Sequence, residues 1–158
     1  MLVRDSTGLK KILEESKTIA VVGLSPREEA TSHRVARYLQ DQGYRIVPVN
    51  PRAVDQKILG EQVYPSLESL PFPIDIVDVF RRSEFLPAVA TDFLKAEAKV
   101  FWAQQGLFSQ EALDLLTQAG IQEIVMDRCI KGFYNKLCGK LALHATFFVI
   151  QSAKKSNS

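Results

Sequence analysis

Short apolar runs alternate along this chain with longer stretches in which apolar residues recur every three or four positions. The first pattern is that of buried strands and the second that of amphipathic helices. The segment from Thr18 to Gly23 is apolar on both faces and rich in β-branched residues, which predicts a buried strand. Tyr44 to Asn50 predicts a second strand, stopped by Pro51. Val63-Tyr64 reads as a short third strand ended by Pro65, Ile74 to Phe80 as a fourth, Ala98 to Ala103 as a fifth and Glu123 to Met126 as a short sixth.

Helical periodicity fills the intervals. A first helix is expected from an N-cap at Ser6 to about Ser16, with Leu9, Ile12 and Leu13 on one face. A second runs from Ser32 to Gln42, burying Val35, Ala36 and Leu39, and Gly43 ends it. Ser66 to Leu70 suits one helical turn. Ser83 is read as the cap of a helix to about Glu97, and Ser109 as the cap of one ending at Gly120. A last helix is expected from Lys136 to Ile150, although the β-branched Thr146 and Val149 disfavour it.

This alternation predicts an α/β fold: a doubly wound, mainly parallel sheet of about five to six strands between two helical layers. Ligands bind such sheets beyond the carboxyl ends of the strands, where the strand order reverses. The loops after strands one, two, four, five and six are therefore the ones to search for chemistry.

The loop after strand one carries Gly23, Leu24, Ser25 and Arg27, followed by Ser32, His33 and Arg34 at a helix start. Glycine permits a tight turn close to a ligand, and free N–H groups at a helix N-terminus favour an anion. The plainer alternative is an ordinary strand–helix turn capped by Ser32. The dinucleotide fingerprint G-x-G-x-x-G is not met, because Ser25 and Glu28 stand where its second and third glycines belong. Strand two ends in Asn50, Pro51 and Arg52 rather than in an acidic residue, so the turn suits a phosphorylated ribose, as in NADP or in the 3′-phosphate of coenzyme A. It also reads simply as a turn with a solvated arginine.

After strand four come Phe80, Arg81 and Arg82, with an aromatic ring that suits an adenine or a pantetheine arm; after strand five come Gln104, Gln105 and Gly106, the glutamines being neutral donors suited to amide or ribose contacts; after strand six come Asp127, Arg128 and Cys129. Trp102 is read as core, and Asp127 as a brace for Arg128. Cys129 reads first as a small buried residue and second as a thiol whose pKa Arg128 lowers. Asp75 and Asp78 lie three apart on a strand and must point to opposite faces, which rules out a carboxylate pair. With only two histidines, His33 and His144, no catalytic constellation or metal cluster is apparent, and His144 is read as a core or interface residue.

Composition narrows the classes. A length of 158 residues suits one domain, expected over 1–151 with a frayed tail over 152–158. An apolar share of 46% and a charged share of 24% are those of a soluble globular chain. A net charge of +2 argues against a dedicated nucleic-acid binder. The longest apolar run, Leu141 to Ile150, is about half of what spans a bilayer, so no membrane partner is expected. Cys129 and Cys138 are too far apart for a zinc knuckle, and residues 1–11 lack a leader pattern, so a reduced, cytoplasmic protein is expected.

Taken in order, Val21 to Pro26 (VVGLSP), Val47 to Arg52 (VPVNPR), Ile58-Leu59-Gly60, Val77 to Arg82 (VDVFRR), Gln105-Gly106 and Met126 to Cys129 (MDRC) resemble the stand-alone CoA-binding protein family of bacteria and archaea. That family is similar to the N-terminal CoA-binding domain of the succinyl-CoA synthetase α subunit and of ADP-forming acyl-CoA synthetases. The resemblance covers roughly residues 10–140. It implies a Rossmann-like fold that binds coenzyme A or an acyl-CoA, with pyrophosphate at the Gly23–Ser25 loop, the adenosine phosphate near Asn50–Arg52, and Phe80–Arg82 lining the cleft. In the synthetases the phosphorylated histidine belongs to a second domain, which this chain is too short to hold. The resemblance therefore implies the cofactor without a reaction, and leaves room for a partner subunit or a homo-oligomer. An NADP-dependent oxidoreductase, motivated by Arg52, and a scaffold that binds no nucleotide remain the alternatives.

Overall fold

A computed structural model of the chain describes residues 1–138. Helix α1 (Ser6–Glu15) leads into strand β1 (Thr18–Val22), helix α2 (Thr31–Asp41) and strand β2 (Arg45–Val49). A two-stranded hairpin, β3 (Lys57–Ile58) and β4 (Glu61–Gln62), precedes strand β5 (Ile74–Val79), helix α3 (Leu86–Lys95) and strand β6 (Ala98–Ala103). Helix α4 (Gln110–Gln118), strand β7 (Glu123–Val125) and helix α5 (Ile130–Cys138) complete the described chain.

Five strands form one sheet in the order β2-β1-β5-β6-β7, parallel throughout. The order reverses between β1 and β5, where Ile19 lies opposite Ile76 and Val22 opposite Val79. Because side chains alternate across the sheet, each strand feeds two cores. Ile19, Val21, Ile46, Ile76, Val100 and Trp102 pack beneath α1, α2 and α5. Val22, Val47, Val77, Val79, Phe101 and Ile124 pack with α3 and α4 on the other side. Each fully buried aliphatic side chain contributes about 1.5–3 kcal/mol, and this two-faced burial holds the strand ends in register. The outer edge of β2 is met by Tyr64, and that of β7 by Leu2, each through one parallel bridge.

Several element limits differ from the sequence reading. Asp5 rather than Ser6 caps α1, accepting from the Gly8 N–H at 2.9 Å. Val63-Tyr64 is not a strand of the sheet; the pairing there is the single Tyr64–Val49 bridge. The unforeseen β3–β4 hairpin turns at Leu59 (φ 53°) and Gly60 (φ 77°), a two-residue loop whose left-handed backbone matches the strand twist. Ser66 to Leu70 forms turns rather than a helical turn. Ser83 opens a short 3-10 turn, Ser83–Phe85, instead of capping α3. Its hydroxyl accepts from the Phe108 N–H at 3.1 Å and so ties the loop after β5 to the loop after β6. Ser109 caps α4 as expected, accepting from Ala112 at 3.1 Å. The last described helix starts at Ile130, six residues before the expected Lys136. The remainder of that expected helix, with His144 and the tail, lies outside the described residues.

Candidate functional site

The loop after β1 must leave the sheet where β1 and β5 part. Gly23 makes this possible: it has φ 85°, and a Cβ on it would stand 2.3 Å from the Phe80 carbonyl oxygen. Its N–H donates to Val49 at 2.9 Å, so one glycine joins the ends of β1, β2 and β5.

Beyond Gly23 the loop is held from inside. The Asn50 amide donates to the Leu24 carbonyl at 2.9 Å, and the Asn50 side-chain oxygen accepts from the Arg52 N–H at 3.0 Å. Ser25 donates its N–H to the Ser32 hydroxyl at 3.0 Å, and its own hydroxyl accepts from the Arg27 N–H at 3.2 Å. His33 is buried, and its Nδ1–H donates to the Ser25 carbonyl at 3.0 Å.

These contacts correct two expectations. Ser32 is not the N-cap of α2; the cap position is Ala30, which has no side-chain oxygen to offer. His33 spends one ring nitrogen on the loop instead of standing free beside an anion. The result is a helix whose first N–H groups have no side-chain acceptor and whose first turn holds no acidic residue. Such an end favours a negative oxygen.

The arginines differ from one another. Arg27 is exposed and lies 3.7 Å from Glu29, and Arg82 is exposed at 3.5 Å from Glu84. Exposed pairs of this kind are weak and leave both cations available to a stronger anion. Arg34 and Arg52 are exposed. Arg81 is half-buried, its guanidinium 4.7 Å above the Phe85 ring. Arg128 donates to the Asp127 carbonyl at 2.8 Å. Asp127 does not brace Arg128 with its carboxylate. It adopts φ 58°, and its carboxylate accepts from the Gly106 N–H at 2.6 Å, closing the loop after β6 against the loop after β7.

A cavity of ≈ 430 Å³ opens at the carboxyl ends of β5 and β6. Phe80, Arg81, Arg82 and Gln105 line it, together with Thr31, Gln104, Leu107 and Cys129. A second concavity of ≈ 590 Å³ shares Gln105 and Cys129 with it and adds Arg128, Phe133 and Lys136. A third, of ≈ 110 Å³, shares Arg81 and reaches Pro51. Pro51, Phe80–Arg82, Gln105 and Arg128 therefore border linked hollows on one rim of the sheet. Leu24 and Asn50 line none of the three hollows and hold each other through the Asn50 amide. A further hollow of ≈ 310 Å³ at the opposite, amino end is lined by Lys17, Gly43 and Tyr44 and carries none of the residues singled out.

Of the cavity residues, Leu107 escaped the sequence reading, and Thr31 was read only as part of the loop leading into the helix. Trp102 is wholly buried, as expected, and its Nε1–H holds the Arg128 carbonyl at 2.9 Å. Asp78 is likewise wholly buried on β5, opposite Val21 and Trp102. One of its oxygens accepts from Gln104 Nε2 at 2.5 Å and the other has no partner among the described residues. Burial disfavours the charge and pushes the carboxyl up to about 8, although the Gln104 bond works the other way. An aspartate flanked by Ile76, Val77 and Val79 was the signal available in the sequence.

A parallel doubly wound sheet with a glycine crossing at its switch point, an uncapped helix start and a cation-lined rim has the chemistry to receive an anionic group such as a phosphate. Comparison with known proteins narrows the class. The CoA-binding domain family matches residues 17–135, and the chain belongs to that family. It is 54% identical over 123 residues, 78% of this chain and 89% of the relative, to the uncharacterized protein YneT of Bacillus subtilis. Among solved structures it resembles a Thermus thermophilus protein with 36% identity and a TM-score of 0.80, covering 85% of this chain and 99% of that one. It also resembles a hypothetical protein from Pyrococcus horikoshii with 33% identity and a TM-score of 0.81, covering 86% and 94%. Among the described residues no helix is long and apolar enough to cross a membrane.

Proposed function

We propose that this chain binds coenzyme A or an acyl-CoA non-covalently along the carboxyl rim of its sheet, and that it contributes binding and orientation without catalytic residues of its own. The observation that carries the reading is the uncapped start of α2 beside the Gly23 crossing, next to a cavity lined by Phe80, Arg81 and Arg82. The backbone N–H groups at Thr31–His33 would receive the pyrophosphate. Gly23 supports that role indirectly, because the close approach of the Phe80 backbone that it permits, and that a side chain would block, sets the path of the loop leading to α2.

Arg52 and Pro51 would stand by the phosphorylated ribose, with Arg27 and Arg34 adding charge. Phe80 and Leu107 offer apolar surface for the adenine or the pantetheine arm. Cys129 and Arg128 would border the distal end of the cleft. On this reading the chain serves as a carrier, a sensor or a partner subunit, and the reacting groups come from elsewhere.

The test is calorimetric titration of the purified protein with CoA, paired with mass spectrometry of ligand released on denaturation. Saturable CoA binding, competed poorly by NADPH, is the expected outcome. No binding at millimolar CoA, or tight NADPH binding that CoA does not displace, overturns the reading.

A further inference from the structure

We infer that Gln104 is a specificity-determining residue of the crevice, and that Asp78 behind it decides which end of the Gln104 amide a ligand meets. The inference deepens the CoA-binding reading and rests on it. Gln104 is nearly buried yet lines the cavity with Phe80 and Gln105. Its Nε2 points inward to Asp78. Its Oε1 accepts from no described residue and is not among the buried unpartnered atoms, so it opens toward the crevice. The side chain thus presents a carbonyl oxygen to the cavity, fixed from behind by a carboxylate.

Ionised Asp78 enforces that arrangement, and protonated Asp78 does not. An ionised carboxylate only accepts, and the amide N–H is what Gln104 can give it. Once protonated, Asp78 carries an O–H with no acceptor, and a buried donor left unpaired is costly. The second oxygen of Asp78 has no partner among the described residues, and a half-turn of the Gln104 amide about its last side-chain bond exchanges the positions of Nε2 and Oε1 against the Asp78 carboxyl. Protonation therefore lets Oε1 turn inward and lowers the share of molecules that present the acceptor to the crevice.

Among the described residues no other group is placed to take the proton. The strand neighbours of Asp78 are Val21 on β1 and Trp102 on β6, both apolar. Of the ionisable groups on the elements packed over this face, His33 on α2 is engaged by Ser25, and Arg128, Cys129 and Lys131 near the start of α5 form no ion pair with Asp78 among the described residues. Burial and the Gln104 bond alone set its ionisation. The ligand group recognised is an N–H donor, such as an amide of a pantetheine arm. A ligand N–H that binds Oε1 favours ionised Asp78, so binding releases a proton, and raising the pH strengthens binding.

The experiment measures CoA affinity of the full chain by calorimetry at pH 6.5, 7.5 and 8.5, for the wild type, Asp78→Asn and Gln104→Leu. The differences between proteins cancel the ligand's own titrations. The wild type should gain about three- to tenfold in affinity across this range relative to Asp78→Asn, the worth of one hydrogen bond. Gln104→Leu should bind more weakly at pH 8.5 and show the flat profile of Asp78→Asn. Superimposable profiles for wild type and Asp78→Asn, or a wild-type slope retained by Gln104→Leu, overturn the inference.

If the wild type binds no CoA at any pH, the functional reading falls, and the pair is judged on the unliganded protein by NMR. There the Asp78 carboxyl carbon and the Gln104 side-chain amide should titrate together. A carboxyl that titrates while the amide stays still, or one that does not titrate in this range, overturns the coupling itself.

Discussion

The two ends of the parallel sheet treat the same chemical group in opposite ways. At the amino end of β5, the Asp75 carboxylate accepts from the Lys17 and Thr18 N–H groups at 2.7 and 3.1 Å and remains partly open to water. Nearby, the Tyr44 hydroxyl donates to the Leu13 carbonyl, and the Arg45 guanidinium stacks 4.2 Å from the Phe72 ring. That end satisfies its own polar groups. Three residues later, at the carboxyl end, Asp78 is sealed in the core with one oxygen unpartnered, beside a helix whose first N–H groups have no side-chain cap. A rim that leaves donors, cations and an acceptor unspent is stabilised less by itself and has more to offer a ligand.

The contrast can be broken most forcefully at Gly23. Gly23→Ala combines a left-handed backbone with a 2.3 Å contact to the Phe80 carbonyl, so something must move. A loss of roughly 3–5 kcal/mol is expected in urea unfolding, together with loss of CoA binding. Stability and binding both within error of wild type would show that the crossing is not tight.

Asp78 gives the next largest effect. Its carboxyl lies near 8 when folded, against an ordinary value of 3.8. The raised value means that the folded state holds this proton while the unfolded state releases it. Stability from this group is therefore full below the unfolded value and falls as pH rises from there toward about 8. Asp78→Asn removes the titration, so its stability relative to wild type should rise by up to roughly 1.4 kcal/mol per pH unit across that window. Denaturant melts at pH 5, 6 and 7 check this; a constant difference between the two proteins contradicts it.

Arg52→Ala sharpens the ligand side of the comparison. It should weaken CoA by about 1–3 kcal/mol and dephospho-CoA much less, as a lost charge-assisted contact to the ribose phosphate requires. Equal losses on both ligands would move Arg52 away from that phosphate. The smallest effect belongs to the other rim. Asp75→Ala should cost about 1 kcal/mol of stability for two partly solvated hydrogen bonds and leave CoA affinity unchanged. A drop in CoA affinity there would show that the two ends are not independent.

Much of this was readable in the chain. The apolar run Thr18–Val22 and the mostly apolar Ile74–Val79 suit a parallel sheet covered on both sides. From that follow the layers, the switch point and the loops that border it. Gly23, Phe80–Arg82, Gln105 and Arg128 were findable because residue type and loop position already restrict what they can do.

What the chain could not reveal depends on distances between segments far apart in sequence. Ser32 suits a cap by residue type, yet its hydroxyl serves Ser25 seven residues earlier, and the cap position falls to Ala30. The Leu59–Gly60 turn was hidden because strands of two residues carry no periodicity.

The sequence by itself determined the order of elements, the parallel sheet and the family, since periodicity and ordered motifs are local properties of the chain. Only the tertiary structure decided that Asp78 is dry and Asp75 partly wet, and that Gln104, 26 residues away, stands between the buried one and the crevice. The reason is physical: a carboxyl's charge state is set by the solvent and donors around it, and those are assembled only when β5 and β6 come together.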